Sequence, residues 1–217
     1  MIRLSSVAVG YGQGIILDNI DLHIAPGSFH FLTGPSGSGK STLFRLLTME
    51  LEPRRGRMEI FGRPAARLSA ERVAEMRRRI GIVHQDNPML DHLTVWDNIA
   101  VPLLVLGKKA QDFQDDVTDL LQWVGLGDRM SARPTVLSGG EKQRAGIARA
   151  VIGKPELLLA DEPTSSVEPQ MARRLLQLFI ELNRLGTSVI IATHDHAVMR
   201  LHPAPRIEIV NRTVRVV

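Results

Sequence analysis

The residues richest in chemistry form one nine-residue run, Gly34-Pro35-Ser36-Gly37-Ser38-Gly39-Lys40-Ser41-Thr42. The run fits G-x-x-x-x-G-K-[ST], a loop whose backbone N–H groups curl around an anion. The glycines permit the curl. The helix that follows adds free N–H groups and the positive end of its dipole. Lys40 is placed for β- and γ-phosphates, the Ser41 hydroxyl for Mg²⁺, and Thr42 for a further phosphate contact. A plain turn before a helix needs no Lys-Ser pair, so the run implies a nucleoside triphosphate without saying which process uses it.

A second group lies at strand ends. The apolar run Leu157-Leu158-Leu159-Ala160 delivers Asp161 and Glu162. Asp161 is placed to hold Mg²⁺ through water. Glu162 points elsewhere and can polarise an attacking water. Gln85 ends the apolar run Ile80–His84; a neutral amide there can ligate Mg²⁺ or orient water without adding charge. His194 ends Val189–Thr193 and either caps that strand or reaches the γ-phosphate. The small-residue turn Ser138-Gly139-Gly140 opens a helical stretch and offers a second anion-binding helix terminus.

The elements that must position these residues alternate. Met1–Tyr11 and Ile16–Ile24 read as half-buried strands, Ser28–Thr33 as a short apolar strand, and Arg57–Phe61, Ile80–His84, Leu157–Ala160 and Ser188–Thr193 as further strands. Helices are expected at Ser41–Leu51, from Ser69 to about Arg79, and at Pro169–Leu185 and Asp195–Leu201. Arg206–Val210 and Thr213–Val217 close as a hairpin around Asn211-Arg212. Between lies a helical third: Thr94–Leu106, Ala110–Val124 and Gly140–Gly153. The pattern predicts an α/β core with a largely parallel sheet, formed by residues 1–85 and 155–217, into which residues 86–154 are inserted as a helical subdomain.

Composition narrows the function classes. The 217 residues contain no cysteine, which excludes disulfide staples, thiolate metal sites and a cysteine nucleophile. Aromatics are 4%, too few to support nucleic acid binding by stacking. The formal net charge of +4 reads as a mixed, solvated surface. No apolar stretch approaches the ~18–20 residues that span a bilayer, and Met1–Leu4 lacks a signal-peptide core. The chain is expected to stay in the cytoplasm.

The run Leu137-Ser138-Gly139-Gly140-Glu141-Lys142-Gln143-Arg144 resembles the signature motif of ATP-binding cassette proteins. In chain order the whole motif set of that family is matched. Tyr11 resembles the aromatic residue that stacks on adenine, Gly34–Thr42 the Walker A loop, Gln85 the Q-loop glutamine, and Ser138-Gly139-Gly140-Glu141 the signature. Leu157–Asp161 resembles Walker B, Glu162 the catalytic glutamate and His194 the switch histidine. The resemblance covers essentially the full chain. It implies a P-loop core with a largely parallel sheet, an antiparallel β subdomain and an inserted helical subdomain. It also implies a Mg²⁺-dependent ATPase acting as a head-to-tail homodimer with ATP at the interface.

Several stretches, Gln85-Asp86-Asn87-Pro88-Met89-Leu90 and Asp97–Leu103 among them, are similar to the cell-division branch of the family. That implies an FtsX-like integral membrane protein as partner, peripheral attachment to the cytoplasmic face of the inner membrane at the division site, and no direct nucleic acid partner. A lipoprotein- or macrolide-type exporter cassette and an ATP-gated division scaffold are the alternatives. Pro88, Met89, Leu90, Leu93 and Val95 are the expected partner groove, and Arg77-Arg78-Arg79 reads as a solvated helix end. One departure stands out: Ser165-Ser166-Val167-Glu168-Pro169 has Val167 and Glu168 where most cassettes carry Leu-Asp. A longer acid there bears on how tightly hydrolysis is coupled.

Overall fold

The computed structural model describes residues 1–217. Strands β1 (Ile2–Tyr11), β2 (Gly14–Ile24), β4 (Arg55–Ile60) and β5 (Arg63–Pro64) form an antiparallel sheet in the order β2-β1-β4-β5. A six-stranded sheet is built from β3 (Phe29–Thr33), β6 (Ile80–Val83), β7 (Leu157–Asp161), β8 (Ser188–Ala192), β9 (Arg206–Val210) and β10 (Thr213–Val216). Its order is β10-β9-β3-β8-β7-β6, parallel except for the final hairpin.

Strands β3, β6, β7 and β8 are largely buried on both faces, as parallel strands covered on both sides must be, whereas β9 and β10 at the edge alternate buried and exposed residues. Leu157 and Leu159 face one core with Ile190 and α1 (Lys40–Leu47), while Leu158 and Ala160 face another with Val189, Ile191 and α6 (Pro169–Arg184). The first core also takes in Ile2, Leu4, Ile20 and Leu22, so α1 lies between the two sheets through Leu43, Leu46 and Leu47. A third core joins α3 (Val95–Val105), α4 (Gln114–Trp123) and α5 (Gly139–Val151) through Val95, Ile99, Val117, Leu121, Ala145 and Ala148. The remaining helices are α2 (Ala70–Arg77) and α7 (His196–Leu201).

Register decides where chemistry can gather. Leu32 pairs with Ala192, Asp161 with Ala192, and Val83 with Ala160. The loops after β3, β6, β7 and β8 therefore leave one edge of the sheet, the carboxyl edge at which α/β sheets bind ligands.

Several boundaries differ from the sequence reading. Helix α1 ends at Leu47, not Leu51. Met49 turns left-handed (φ 59°), and the Glu50 and Leu51 amides both donate to the Arg45 carbonyl. The stretch Ala110–Val124 is not one helix. A 3₁₀ turn, Ala110–Asp112, gives way at Phe113, whose φ of −142° breaks the spiral and buries its ring. Helix α5 starts one residue early because Ser138 caps it. Val95 is fully buried in the helical core and Met89 packs against it, so neither lines an open groove.

Helix α6 begins Glu168-Pro169. Proline is well suited to the first helical turn, but Glu168 makes no side-chain capping bond. A glutamate side chain is one methylene too long for the N-cap geometry that aspartate satisfies. Glu168→Asp is expected to stabilise the chain by about 0.5–1 kcal/mol, read as a rise of about 1–4 °C in Tm. An unchanged or lower Tm would show that the cap is already satisfied another way.

Candidate nucleotide site

The loop after β3 is held open by its own backbone. Gly39 sits at φ 107°, and a Cβ there would approach Leu17 Cδ2 to 2.8 Å, so both conformation and space require glycine. The N–H groups of Lys40, Ser41 and Thr42 form the first turn of α1 and have no acceptor within the helix. Lys40 Nζ donates to the Gly34 carbonyl (2.8 Å) and the Pro35 carbonyl (3.0 Å), which keeps the ammonium inside the curve of the loop. The Ser38 hydroxyl is buried in the same loop without a partner.

From the other side of the sheet edge comes Asp161. Its Oδ2 accepts from the Ser41 hydroxyl at 3.3 Å, joining residues 120 apart in sequence. Burial pushes the Asp161 carboxyl up from the usual carboxylate range, with Ser41 pulling it down and Glu162 adding to the rise. Gln85 is exposed and shares a cleft of about 350 Å³ with Ser41, Asp161, His84 and Asp86. The donors gathered here, a hydroxyl, a carboxylate and an amide carbonyl, are all oxygens, the set that suits Mg²⁺.

Glu162 follows directly and points away from Ser41. Its φ of 46° is left-handed, its N–H donates to the Ala192 carbonyl, and its side chain is 14% exposed. Three donors converge on its carboxylate: the Thr193 hydroxyl (3.2 Å), the His194 N–H (3.2 Å) and the His194 ring Nδ1 (2.6 Å). A carboxylate only accepts, so the proton lies on Nδ1. The hydrogen bond to Glu162, and then its charge, raise the His194 pKa above the ordinary value. The ring itself is 81% exposed, so its other nitrogen faces open space.

Two predicted features stand apart from this cluster, Tyr11 and the signature turn. Tyr11 ends β1, 42% exposed, with Arg45 Nη1 donating to its hydroxyl (3.2 Å) and the guanidinium 5.8 Å from the ring centre. The signature turn has no hydrogen bond or salt bridge to residues 34–42; its side-chain bonds are internal or to Arg129. Ser138 Oγ accepts from the Glu141 N–H (3.3 Å), Glu141 Oε2 accepts from the Ser138 N–H (2.8 Å), and Arg129 Nε donates to Glu141 Oε1 (3.0 Å). This is a reciprocal capping box. The Ser138 N–H and the Arg129 guanidinium hold the Glu141 pKa down to about 2. Nothing lies within 4 Å of where a Gly139 side chain would project, so the turn presents an open face.

Sequence reasoning missed Thr193, Arg45 and the capping role of Glu141. The Ser-x-x-Glu spacing of Ser138 and Glu141 was the available signal for the last. Thr193 becomes visible only once strand register brings it to Glu162, and Arg45 only once α1 packs beside β1 and reaches Tyr11.

A phosphate loop, a Ser41–Asp161 pair and a strand-end glutamate on one sheet edge, with a second helix terminus on an inserted helical layer, define a nucleotide-binding P-loop cassette. The family model described as ABC transporter matches residues 17–165, and the chain belongs to the ATP-binding cassette family. It is 43% identical over 196 residues to the cell division ATP-binding protein FtsE of Escherichia coli (strain K12), covering 90% of this chain and 88% of that one. It is 40% identical over 205 residues to the methionine import ATP-binding protein MetN 2 of Yersinia pestis bv. Antiqua (strain Antiqua), covering 92% of this chain and 62% of that one. Among solved structures it is similar to the dimeric post-hydrolysis state of the ATP-binding cassette MJ0796 bound to ADP and Pi. That match has a TM-score of 0.91 and 30% identity, covering 100% of this chain and 98% of the other.

Proposed function

We propose that the chain is the ATP-binding and hydrolysing subunit of an FtsE-type membrane complex, acting with an FtsX-like integral membrane protein in cell division to regulate cell-wall hydrolysis. The observation that carries this reading is the 43% identity to FtsE across nearly the whole of both chains. In this reading ATP sits between two copies, with the loop at Gly34–Thr42 of one facing the open Ser138–Glu141 turn of the other. Tyr11 takes the adenine face. Ser41, Asp161 and Gln85 would hold Mg²⁺, which when bound would neutralise phosphate charge. Glu162 receives the proton of the attacking water as the oxygen joins the γ-phosphorus and the bond to ADP breaks. His194 steadies Glu162 and offers its free ring face to the γ-phosphate.

The partner would supply the bilayer-crossing part, since no helix here is long and apolar enough to cross a membrane. A cleft of about 600 Å³ between α2, β6, α3 and α5 suits a docking segment. Its apolar wall includes Leu90, Val105 and Leu106, exposed by 42%, 54% and 41%. Leu90 is the one residue of the groove expected from sequence that lines this cleft.

The test is purification from membranes of cells carrying the chain and an FtsX-like protein, followed by ATPase assay with and without that protein. Retention of the FtsX-like protein and a changed ATPase rate are expected. Purification free of it, with division unaffected by Glu162→Gln, would overturn the reading. The identity to a methionine import protein favours transport as a second reading. That reading predicts an ATPase stimulated by a small solute presented to the complex.

A further inference from the structure

Two side-chain amides that the nucleotide chemistry does not use are buried together. Asn87, two residues after Gln85, is 3% exposed, and Gln143, on the second turn of α5, is 2% exposed. Asn87 Nδ2 donates to Gln143 Oε1 at 2.7 Å. Asn87 adopts a left-handed φ of 40°, a conformation asparagine tolerates better than most residues. Its side chain fills the space where Gly146 lacks one: a Cβ on Gly146 would lie 2.0 Å from Asn87 Oδ1. Three residues further along, the loop is fixed a second time. The Leu90 N–H donates to Asn98 Oδ1 (2.8 Å), and Asn98 Nδ2 donates to the Leu90 carbonyl (3.0 Å).

Stability alone does not account for the pair. Gln143 Nε2 is buried with no acceptor, and an unpaired buried N–H donor carries a desolvation cost that an apolar pair of similar shape avoids. What the amides supply is direction. The hydrogen bond and the Gly146 slot admit one placement of the loop on α5, where a greasy contact would slide. Ser138, Gly139, Gly140 and Glu141 lie within five residues of Gln143 at the start of the same helix. A shift of Gln85 in the cleft beside Ser41 and Asp161 therefore reaches the signature turn as a movement of α5.

We propose that the Asn87–Gln143 clasp holds Gln85 in fixed register with the signature turn, making Asn87 and Gln143 positioning residues for ATP hydrolysis. The proposal rests on the reading that this turn completes the ATP site of a second copy. It assigns neither residue a contact with nucleotide.

The test compares Asn87→Ala, Gln143→Met and the double variant in the full-length chain, with Mg-ATP as the probe. Each single variant is expected to lower kcat at least about tenfold, since small misplacements of a catalytic constellation are costly. The affinity for ATP, read by fluorescent nucleotide displacement, should change less than twofold. The double variant should lose less Tm than the sum of the singles, because no buried amide is then left unpaired, yet stay below the parent through the left-handed alanine and the emptied slot beside Gly146, and keep the low kcat of the singles. Undiminished kcat in both single variants, or recovery of kcat in the double, would overturn the proposal. Size-exclusion of Glu162→Gln with ATP tests the underlying reading separately: a persistent monomer there overturns the two-copy site, whatever the clasp variants do.

Discussion

Glu162→Gln is expected to lower kcat for ATP hydrolysis by about 10²–10⁴-fold, the range a positioned general base contributes, while ATP still binds. Glutamine keeps the shape of glutamate and loses only the ability to take a proton at neutral pH. The three donors around Glu162 explain why the site should survive the change. The His194 N–H and Nδ1–H can still donate to the amide carbonyl, and the Thr193 hydroxyl can rotate to accept from the amide nitrogen. Nothing else in the loop needs to move, because the left-handed turn at Glu162 is fixed by its backbone bond to Ala192. Chemistry is removed and architecture kept, so ATP-bound chains should accumulate as dimers, seen by size-exclusion with and without ATP. A second readout comes from His194. Its pKa is raised by the Glu162 hydrogen bond and charge. Removing that charge should bring the imidazole titration down toward its ordinary value near ~6.5, measurable by NMR. A variant that keeps more than about a tenth of its activity would assign the base elsewhere.

The contrast between Glu162 and Asn87 shows what one sequence can reveal. Gly34–Thr42 announces its chemistry because glycines, lysine and serine at that spacing have few other uses, and its strand and helix flank it directly. Asp161 and Glu162 are legible for a similar reason: an apolar run that ends in two acids must deliver them somewhere polar. The Ser41–Asp161 contact is one step harder. It depends on β3, β8 and β7 lying side by side in parallel register, which alternation of elements suggests and does not specify. Ser138 is legible as part of the turn that opens α5, and its capping role is written in the Ser-x-x-Glu spacing, although the adjacent glycines place the expected helix start one residue late. The end of α1 and the break at Phe113 depend on the non-helical backbone of single residues, Met49 (φ 59°) and Phe113 (φ −142°), and no hydrophobic period reports those. The Asn87–Gln143 pair is the least legible feature of all. Two amides 56 residues apart look like solvated polar positions, and only the missing Gly146 side chain makes room to bury them.

Lys40→Met is expected to weaken ATP binding by about 10²-fold, equivalent to about 3 kcal/mol, the upper end for a hydrogen bond to a charged group. The ammonium already lies inside the phosphate loop, held at 2.8 and 3.0 Å by the Gly34 and Pro35 carbonyls. It therefore meets the phosphates with little reordering, and its loss leaves two carbonyl oxygens aimed at the space an anion must enter. The effect extends beyond the loop. Lys40 is among the groups that pull the Asp161 carboxyl down against its burial and against Glu162. Without Lys40, two neighbouring carboxylates face the triphosphate with one less positive charge between them. Lys40→Arg is not expected to rescue binding, because a planar fork does not fit where a compact ammonium sat between two carbonyls. Nucleotide titration by fluorescence checks the affinity, and thermal unfolding checks it independently: saturating ATP raises the Tm of the parent chain by mass action and should barely raise that of the variant. ADP separates position from total charge. It lacks the γ-phosphate that shares Lys40, so its affinity should fall less than that of ATP. Equal losses for ADP and ATP would place the ammonium on the α- and β-phosphates instead.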